Sequence, residues 1–173
     1  MKGFILLIPF LLVRFLLLSK LSSDAISRAA HFAPMQGNER IAYWAYQILN
    51  VVIFVYLCFI RVSVNTISLF ILGLFKYLIG LLICTISVIC FASSSEAGLN
   101  TNGIYKYSRN PMYVSYFLVF IGCSLLTNSW ILFTMTLVFQ ISSHWIILSE
   151  ERWCINEFTQ SYQDYMLKVR RYL

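Results

Sequence analysis

The sequence predicts an all-α integral membrane protein with five transmembrane helices. Hydrophobic residues make up 60% of the 173 residues and charged residues only 12%, which is outside the usual composition of a soluble domain. The apolar residues form blocks long enough to cross a bilayer, which takes about 20 helical residues. These blocks are apolar on every face, whereas a membrane β-barrel would alternate polar and apolar positions. Helices fit the pattern because they satisfy their own backbone hydrogen bonds.

Charge and cysteine content exclude two other classes of protein. The thirteen Lys and Arg residues, which give a net charge of +6, lie singly at the edges of the apolar blocks. Membrane orientation and contact with anionic lipid explain them better than nucleic-acid binding does. The five cysteines include no CxxC pair, so we expect neither a disulfide framework nor a metal site.

The first apolar block, residues 3–21, is interpreted as a retained span, since no small-x-small cleavage site follows it. We expect the Arg14 side chain within it to snorkel to the nearest interface. Residues 22–40 are polar and indicate a surface loop.

Two further spans are predicted at residues 41–60 and 67–92, with a tight connection between them. Aromatic residues at the edge of the first, among them Tyr46, are typical of the headgroup layer. The last two blocks, residues 112–126 and 130–148, are separated by three polar residues and predict an antiparallel helical hairpin.

Residues 149–173 carry apolar side chains at helical spacing between polar ones. This pattern predicts an amphipathic interfacial helix that folds back over the preceding loop. Residues 1–173 are interpreted as a single domain. With the N-terminus outside, most Lys and Arg residues fall on the inner side, so we expect a cytoplasmic C-terminus.

The polar segment 98–113 and the tail carboxylates are predicted to meet, since a two-helix hairpin returns to its starting side. The segment offers turn N–H groups near Gly98 and Gly103 and the faces of three tyrosines. Aromatic faces attract cations, and carboxylates accept hydrogen bonds from hydroxyl or ammonium donors. Such a pocket suits an adenosyl sulfonium. The alternative is a turn-rich connector whose tyrosines mark the interface.

Three short sequence motifs in the C-terminal half have a specific order and spacing. They are Leu99-x-x-x-Gly103-Ile104-Tyr105, Arg109-Asn110-Pro111-Met112-Tyr113, and Glu150-Glu151 followed by Phe158, Tyr162 and Tyr165. With the hairpin between them, they resemble the integral-membrane methyltransferase family that includes protein-S-isoprenylcysteine carboxyl methyltransferase and the phospholipid methyltransferases.

The resemblance implies an S-adenosyl-L-methionine-dependent methyltransferase with a cytoplasmic pocket under the tail helix. The acceptor would be a lipophilic small molecule or lipidated substrate that enters from the lipid bilayer. The implied cofactor-binding residues are Leu99, Asn100, Tyr105, Asn110, Pro111, Met112, Tyr113 and Glu150. We expect Arg109 to orient an anionic group of cofactor or substrate as the catalytic residue; a headgroup-facing basic residue is the other interpretation.

Three positions depart from the family pattern. Asn110 stands where the family commonly has His, so a base role is not expected there. Ile146 takes the place of an Arg that faces the substrate carboxylate in the prenylcysteine branch, which argues against that substrate. Thr159 stands where the family has Gly. His144 is a candidate proton acceptor for a thiol or amine, or else a hydrogen-bonded packing residue.

Two other functions stay open at this point. Membrane sterol reductases resemble the same C-terminal architecture but use NADPH, and they are longer. A non-catalytic membrane scaffold that keeps the fold would agree with Asn110 and Ile146.

Overall fold

The computed structural model describes residues 1–21, 33–64, 66–93 and 99–172. The helices are α1 (Gly3–Leu21), α2 (Glu39–Phe59), α3 (Ile67–Ala92), α4 (Pro111–Leu126) and α5 (Trp130–Lys168), with a 3₁₀ turn at Gly103–Lys106. All except α4 are long and apolar enough to cross a membrane. The described ranges contain no β-strand. The predicted helical membrane fold is confirmed, and the loop expected at residues 22–40 lies largely outside the described residues.

Helix α1 changes its hydrogen-bond register along its length. It begins as a 3₁₀ helix, continues as an α-helix, forms a π-helix over Leu12–Leu17 and ends as an α-helix. Segments of π-helix are rare and occur often at functional sites. Arg14 lies within this segment.

The connections between helices gather at two ends of the bundle. At one end, the Gly3 amide donates to the Ile60 carbonyl (2.8 Å), and the Ser63 amide donates to the Leu126 carbonyl (2.9 Å). The opposite end, which we call the loop end, comprises residues 33–38, 99–110 and 150–172. Each helix therefore runs antiparallel to the next, as a membrane bundle with short connections requires.

Glycines set the close approach of α3 and α4. A Cβ atom added to Gly122 would lie 2.6 Å from the backbone nitrogen of Tyr77, and one added to Gly80 would lie 2.7 Å from that of Val119. Both distances are shorter than any ordinary Cβ contact. Small residues at such crossings let two backbones pack closely in a membrane, where no hydrophobic effect holds helices together.

Aromatic packing joins α2 to α5. The rings of Tyr46 and Phe139 are stacked with centroids 4.6 Å apart, and the Tyr56 and Ser129 hydroxyl oxygens are 3.1 Å apart. Tyr46 is buried. It therefore belongs to the interior of the bundle, and its predicted place in the headgroup layer is wrong.

Helix α5 is longer than predicted. Its helical backbone continues past residue 148 and reaches Lys168 in two parts that meet at Thr159. The helix does not end at residue 148 because Leu148 to Arg152 favour or tolerate helix and none of them is Gly or Pro. The element bends at Thr159, whose backbone angles are φ 46° and ψ −121°. After this bend Tyr162 and Tyr165 turn inward and are buried. The tail is thus an extension of the last span and packs against the loop that precedes α4.

We predict that Gly122→Ala destabilises the protein by about 1–3 kcal/mol, since the added methyl group forces α3 and α4 apart. The midpoint of thermal unfolding in detergent measures the effect. Leu82→Ala, at a lipid-facing position that is 60% exposed, is the control and should change the midpoint much less. Equal midpoints for Gly122→Ala and the wild type would show that the helices do not approach as closely as described.

We predict that Thr159→Gly stabilises the protein, because a β-branched residue at positive φ costs about 1–3 kcal/mol that glycine avoids. Ser161→Gly, at an exposed helical position nearby, should instead destabilise it by about 1 kcal/mol. Both are measured as shifts in the unfolding midpoint. A loss of stability in both variants would contradict the bend at Thr159.

Candidate functional site

The loop that precedes α4 is fixed by its own polar groups. The Asn100 side-chain amide donates to the Cys90 carbonyl at the end of α3, and the Asn100 side-chain oxygen accepts from the Asn102 amide at 3.0 Å. Gly103 has a φ of +58°, and a Cβ there would collide with the Cys90 sulfur. The loop needs glycine at this position both for its backbone angle and for its contact with α3.

The 3₁₀ turn at Gly103–Lys106 buries Tyr105. Burial raises the pKa of the Tyr105 hydroxyl well above its ordinary value, so the group stays protonated and can donate a hydrogen bond at neutral pH. The Tyr105 carbonyl accepts a hydrogen bond of 2.5 Å from the hydroxyl of Tyr165 in the tail. Loop and tail are thus in direct contact, as the hairpin argument predicted.

The last residues of the chain continue this contact. The Arg109 amide donates to the Arg170 carbonyl at 2.9 Å, and the Asn110 side-chain amide donates to the Arg171 carbonyl at 3.2 Å. These bonds satisfy backbone carbonyls beyond the end of α5. They hold residues 169–172 against the loop.

A buried ion-pair cluster anchors the arrangement. Glu151 is 4% exposed, and its carboxylate lies 3.0 Å from Arg109 Nη2 and 2.8 Å from Arg171 Nη2. Hydrogen bonding to Glu151 raises the pKa of Arg171 above its ordinary value. Arg109 Nη1 also donates to the Met166 carbonyl at 3.2 Å. Arg109 therefore faces the tail rather than the lipid headgroups.

Glu150, the next residue, has a different environment. Its carboxylate accepts a 2.8 Å hydrogen bond from the Tyr113 hydroxyl and makes no ion pair with any described Lys or Arg. The Tyr113 ring lies between those of Tyr46 and Tyr116, at centroid distances of 6.4 and 6.2 Å. A partly buried carboxylate beside three aromatic rings is thus left without a cation, an arrangement suited to a cationic ligand.

Tyr172 contacts His144 and also lines a groove between α4 and α5. His144 Nδ1 lies 2.6 Å from the Tyr172 hydroxyl, which agrees with the packing interpretation of His144. The groove, with a volume of about 280 Å³, is lined by Val114, Phe117, Gln140 and Tyr172. The buried side-chain oxygen of Gln140 has no hydrogen-bond partner among residues 1–21, 33–64, 66–93 and 99–172.

The structure brings most of the predicted site residues to the loop end. Tyr113 and Glu150 touch each other, and Tyr105 touches the tail. The Asn100 side chain hydrogen-bonds to the backbone of Cys90 and Asn102, and the Asn110 side chain hydrogen-bonds to the backbone of Arg171. Contact of these residues with a cofactor stays a prediction, and so does the role of Arg109 towards an anionic ligand.

The remaining predicted cofactor residues form the start of α4 and of the loop. Leu99 is partly buried. Pro111 is the first residue of α4 and is buried, which suits a position where the missing N–H has no helical partner. The Met112 sulfur accepts from the Tyr116 hydroxyl at 3.8 Å. Gly98 lies outside the described residues.

Sequence reasoning did not place Tyr46 and Arg14 at this site. The Tyr46 ring lies against that of Tyr113, and the Arg14 guanidinium lies 4.5 Å from the centroid of the Tyr116 ring. The heptad spacing of the buried α2 residues Glu39, Tyr46 and Ile53 is a signal that could have placed Tyr46 on the inward face. For Arg14 the sequence contains no comparable signal, because its direction depends on the π-helical register of α1.

Comparison with known proteins supports the family that the three sequence motifs suggested. A family model described as phospholipid methyltransferase matches residues 72–161, which is more than half of the chain. This match does not favour the reductase alternative. No curated protein and no solved structure matches the chain. With its long apolar helices, the chain is an integral membrane protein, and it belongs to the phospholipid methyltransferase family of membrane methyltransferases.

Proposed function

We propose that the protein transfers a methyl group from S-adenosyl-L-methionine to a small lipophilic acceptor. The observation that carries this proposal is the Glu150 carboxylate, which has the Tyr113 hydroxyl as its partner and makes no ion pair with the described cations. A cofactor with an ammonium and a sulfonium group supplies the missing positive charge. The residues present therefore fit this methyl donor.

The proposed binding residues divide by chemistry. Glu150 provides the negative charge, and Tyr113 holds that carboxylate in place through its hydroxyl. Leu99, Pro111 and Met112 provide apolar contact, while Tyr105 provides a buried ring. We include Asn100 and Asn110 as residues whose bonds shape the loop around the ligand.

S-adenosyl-L-methionine supplies an already activated methyl group, so the chain's contribution is to place the acceptor in line and exclude water. Tyr162 and Tyr165, buried after the bend of α5, cover the loop end and serve this exclusion. Arg109 holds the tail that carries these tyrosines in place through its ion pair with Glu151. Its side chain also has a buried nitrogen, Nε, with no hydrogen-bond partner in the described part of the chain, and this atom is our candidate for orienting an anionic group.

The groove lined by Val114 and Phe117 is our candidate path for the acceptor. It lies between α4 and α5, and apolar residues form half of its lining. A lipophilic molecule can reach it from the bilayer without leaving apolar surroundings. We place the loop end on the cytoplasmic side of the membrane, supported by the excess of Lys and Arg residues there.

We predict that Glu150→Gln abolishes S-adenosyl-L-methionine binding by the purified protein in detergent, as measured by calorimetry, because the amide lacks the charge that balances the cofactor's cation. Tyr113→Ala should weaken binding by about tenfold or more, through loss of the ring and of the bond to Glu150. The control is Tyr107→Ala, which removes a ring that is 74% exposed in the same loop and should bind as the wild type does.

Wild-type affinity in folded Glu150→Gln would remove Glu150 from the cofactor site. Failure of the wild-type protein itself to bind the cofactor would instead favour the non-catalytic scaffold. Lipid extracts incubated with a methyl-labelled cofactor and analysed by mass spectrometry would then identify the acceptor of the active protein.

We predict that Glu151→Gln destabilises the protein by about 3 kcal/mol, since it leaves buried Arg109 without its anion. Residues 165–172 should lose protection in hydrogen exchange, because Arg171 loses its partner too. Glu157→Gln, at an exposed position of the same helix, should leave stability and exchange unchanged. Unaltered exchange in Glu151→Gln would show that the ion pairs do not hold the tail.

A further inference from the structure

Arg14 carries a positive charge in the membrane-spanning helix α1. A charged side chain at this depth is costly and normally reaches for the interface or for a partner. Its guanidinium instead lies 4.5 Å from the centroid of the Tyr116 ring, and Tyr116 is a buried residue of α4. The expectation that Arg14 snorkels is therefore wrong, because the cation points into the bundle.

No carboxylate pairs with Arg14 in the described part of the chain. The ion pairs there join Arg109 and Arg171 to Glu151, and Arg152 to Glu39. The rings that lie against the guanidinium belong to neutral side chains, Tyr116 at 4.5 Å and Phe15 at 5.7 Å. Tyrosine faces stabilise a cation only in part, by about 2 kcal/mol when desolvated. An anionic group would complete this environment.

Arg14 and Glu150 lie against neighbouring tyrosines. Tyr113 donates its hydroxyl to Glu150, and its ring lies 6.2 Å from that of Tyr116, the ring against which the Arg14 guanidinium lies. A carboxylate without a cation and a guanidinium without an anion therefore lie around one pair of tyrosines. A ligand bound against Tyr113 would meet a negative charge at Glu150 and a positive charge at Arg14.

The backbone of α1 gives independent support. Arg14 lies in the π-helical segment Leu12–Leu17, and the wider turn of a π-helix changes the direction of the side chains within it. Three neighbouring apolar side chains, Leu12, Phe15 and Leu16, are exposed towards the lipid, while Arg14 faces inward. This part of the chain also lies outside the family match at residues 72–161.

We propose that Arg14 is an oxyanion-binding residue of the Tyr113–Glu150 site, which takes a carboxylate or phosphate oxygen of the ligand bound there. The proposal rests on the proposed function for the identity of that site. The oxyanion belongs either to the methyl donor, as its carboxylate, or to the acceptor, as an anionic headgroup. Arg14 would in either case add selectivity for charge from a helix that the family match does not include.

The test compares ligands that differ only in the anionic group, in wild-type protein and in Arg14→Gln. One arm measures calorimetric affinity for S-adenosyl-L-methionine and for its decarboxylated analogue. The other arm measures binding of dodecyl phosphate and of dodecanol in detergent. We expect Arg14→Gln to lose about tenfold or more in affinity for the anionic member of one pair, with no change for its neutral member. Arg14→Lys should retain part of the preference.

Lys20→Gln is the matched control, since Lys20 is an exposed cation of the same helix and its removal should leave all four affinities unchanged. Loss in the first arm assigns the oxyanion to the methyl donor, and loss in the second assigns it to the acceptor. If Arg14→Gln does not fold, Arg14→Met replaces it, because a long apolar side chain is better tolerated within a membrane.

The role of Arg14 would be overturned if the folded variant and the wild type showed the same preference for the anionic over the neutral ligand in both arms. That result is distinct from failure of the proposed function. If wild-type protein does not bind S-adenosyl-L-methionine but prefers dodecyl phosphate in an Arg14-dependent manner, the function fails and the oxyanion site stands. If S-adenosyl-L-methionine binds equally with and without Arg14 and dodecyl phosphate shows no preference, the function stands and the oxyanion site fails.

Discussion

The arrangement of the loop end depends on the buried carboxylate of Glu151. It lies within 3.0 Å of Arg109 from the loop and of Arg171 from the chain end, so a single group connects α5, the loop and the last residues. Buried charges tolerate this environment only when they are paired. Since each partner would otherwise be an isolated charge, the three segments are stable together and not separately.

Glu150 and Glu151 are adjacent, yet one has a structural role and the other is available for chemistry. Adjacent residues on a helix point about 100° apart, so Glu151 faces two arginines while Glu150 faces Tyr113. The ion-paired carboxylate is occupied by the protein itself. The other remains available to a cation from outside, which is the property that the proposed methyl-donor site requires.

Charged groups without an ion-pair partner, such as Arg14 and Glu150, point to function in a membrane protein. In lipid, an ionisable group that lacks a partner is costly and usually marks a site of function. Arg14 and Glu150 both lie against the tyrosine cluster, and neither has an ion-pair partner among the described residues. Tyr113 contacts Glu150, Tyr116 contacts Arg14, and the two tyrosine rings are neighbours.

The sequence by itself determined the spans and the family. Apolar blocks require helices in a bilayer, and their lengths and polar breaks predicted α3, α4 and the start of α5 nearly to the residue. The sequence motifs around Tyr105, Tyr113 and Glu150 predicted the family, because their order and spacing are specific. Only the tertiary structure decided which of two adjacent glutamates is paired, that Tyr46 is an interior residue, and that Arg14 points inward. Those outcomes depend on the rotation of each helix about its axis, on the π-helical register of α1 and on the bend at Thr159, which are fixed by packing between segments distant in sequence and leave no local pattern.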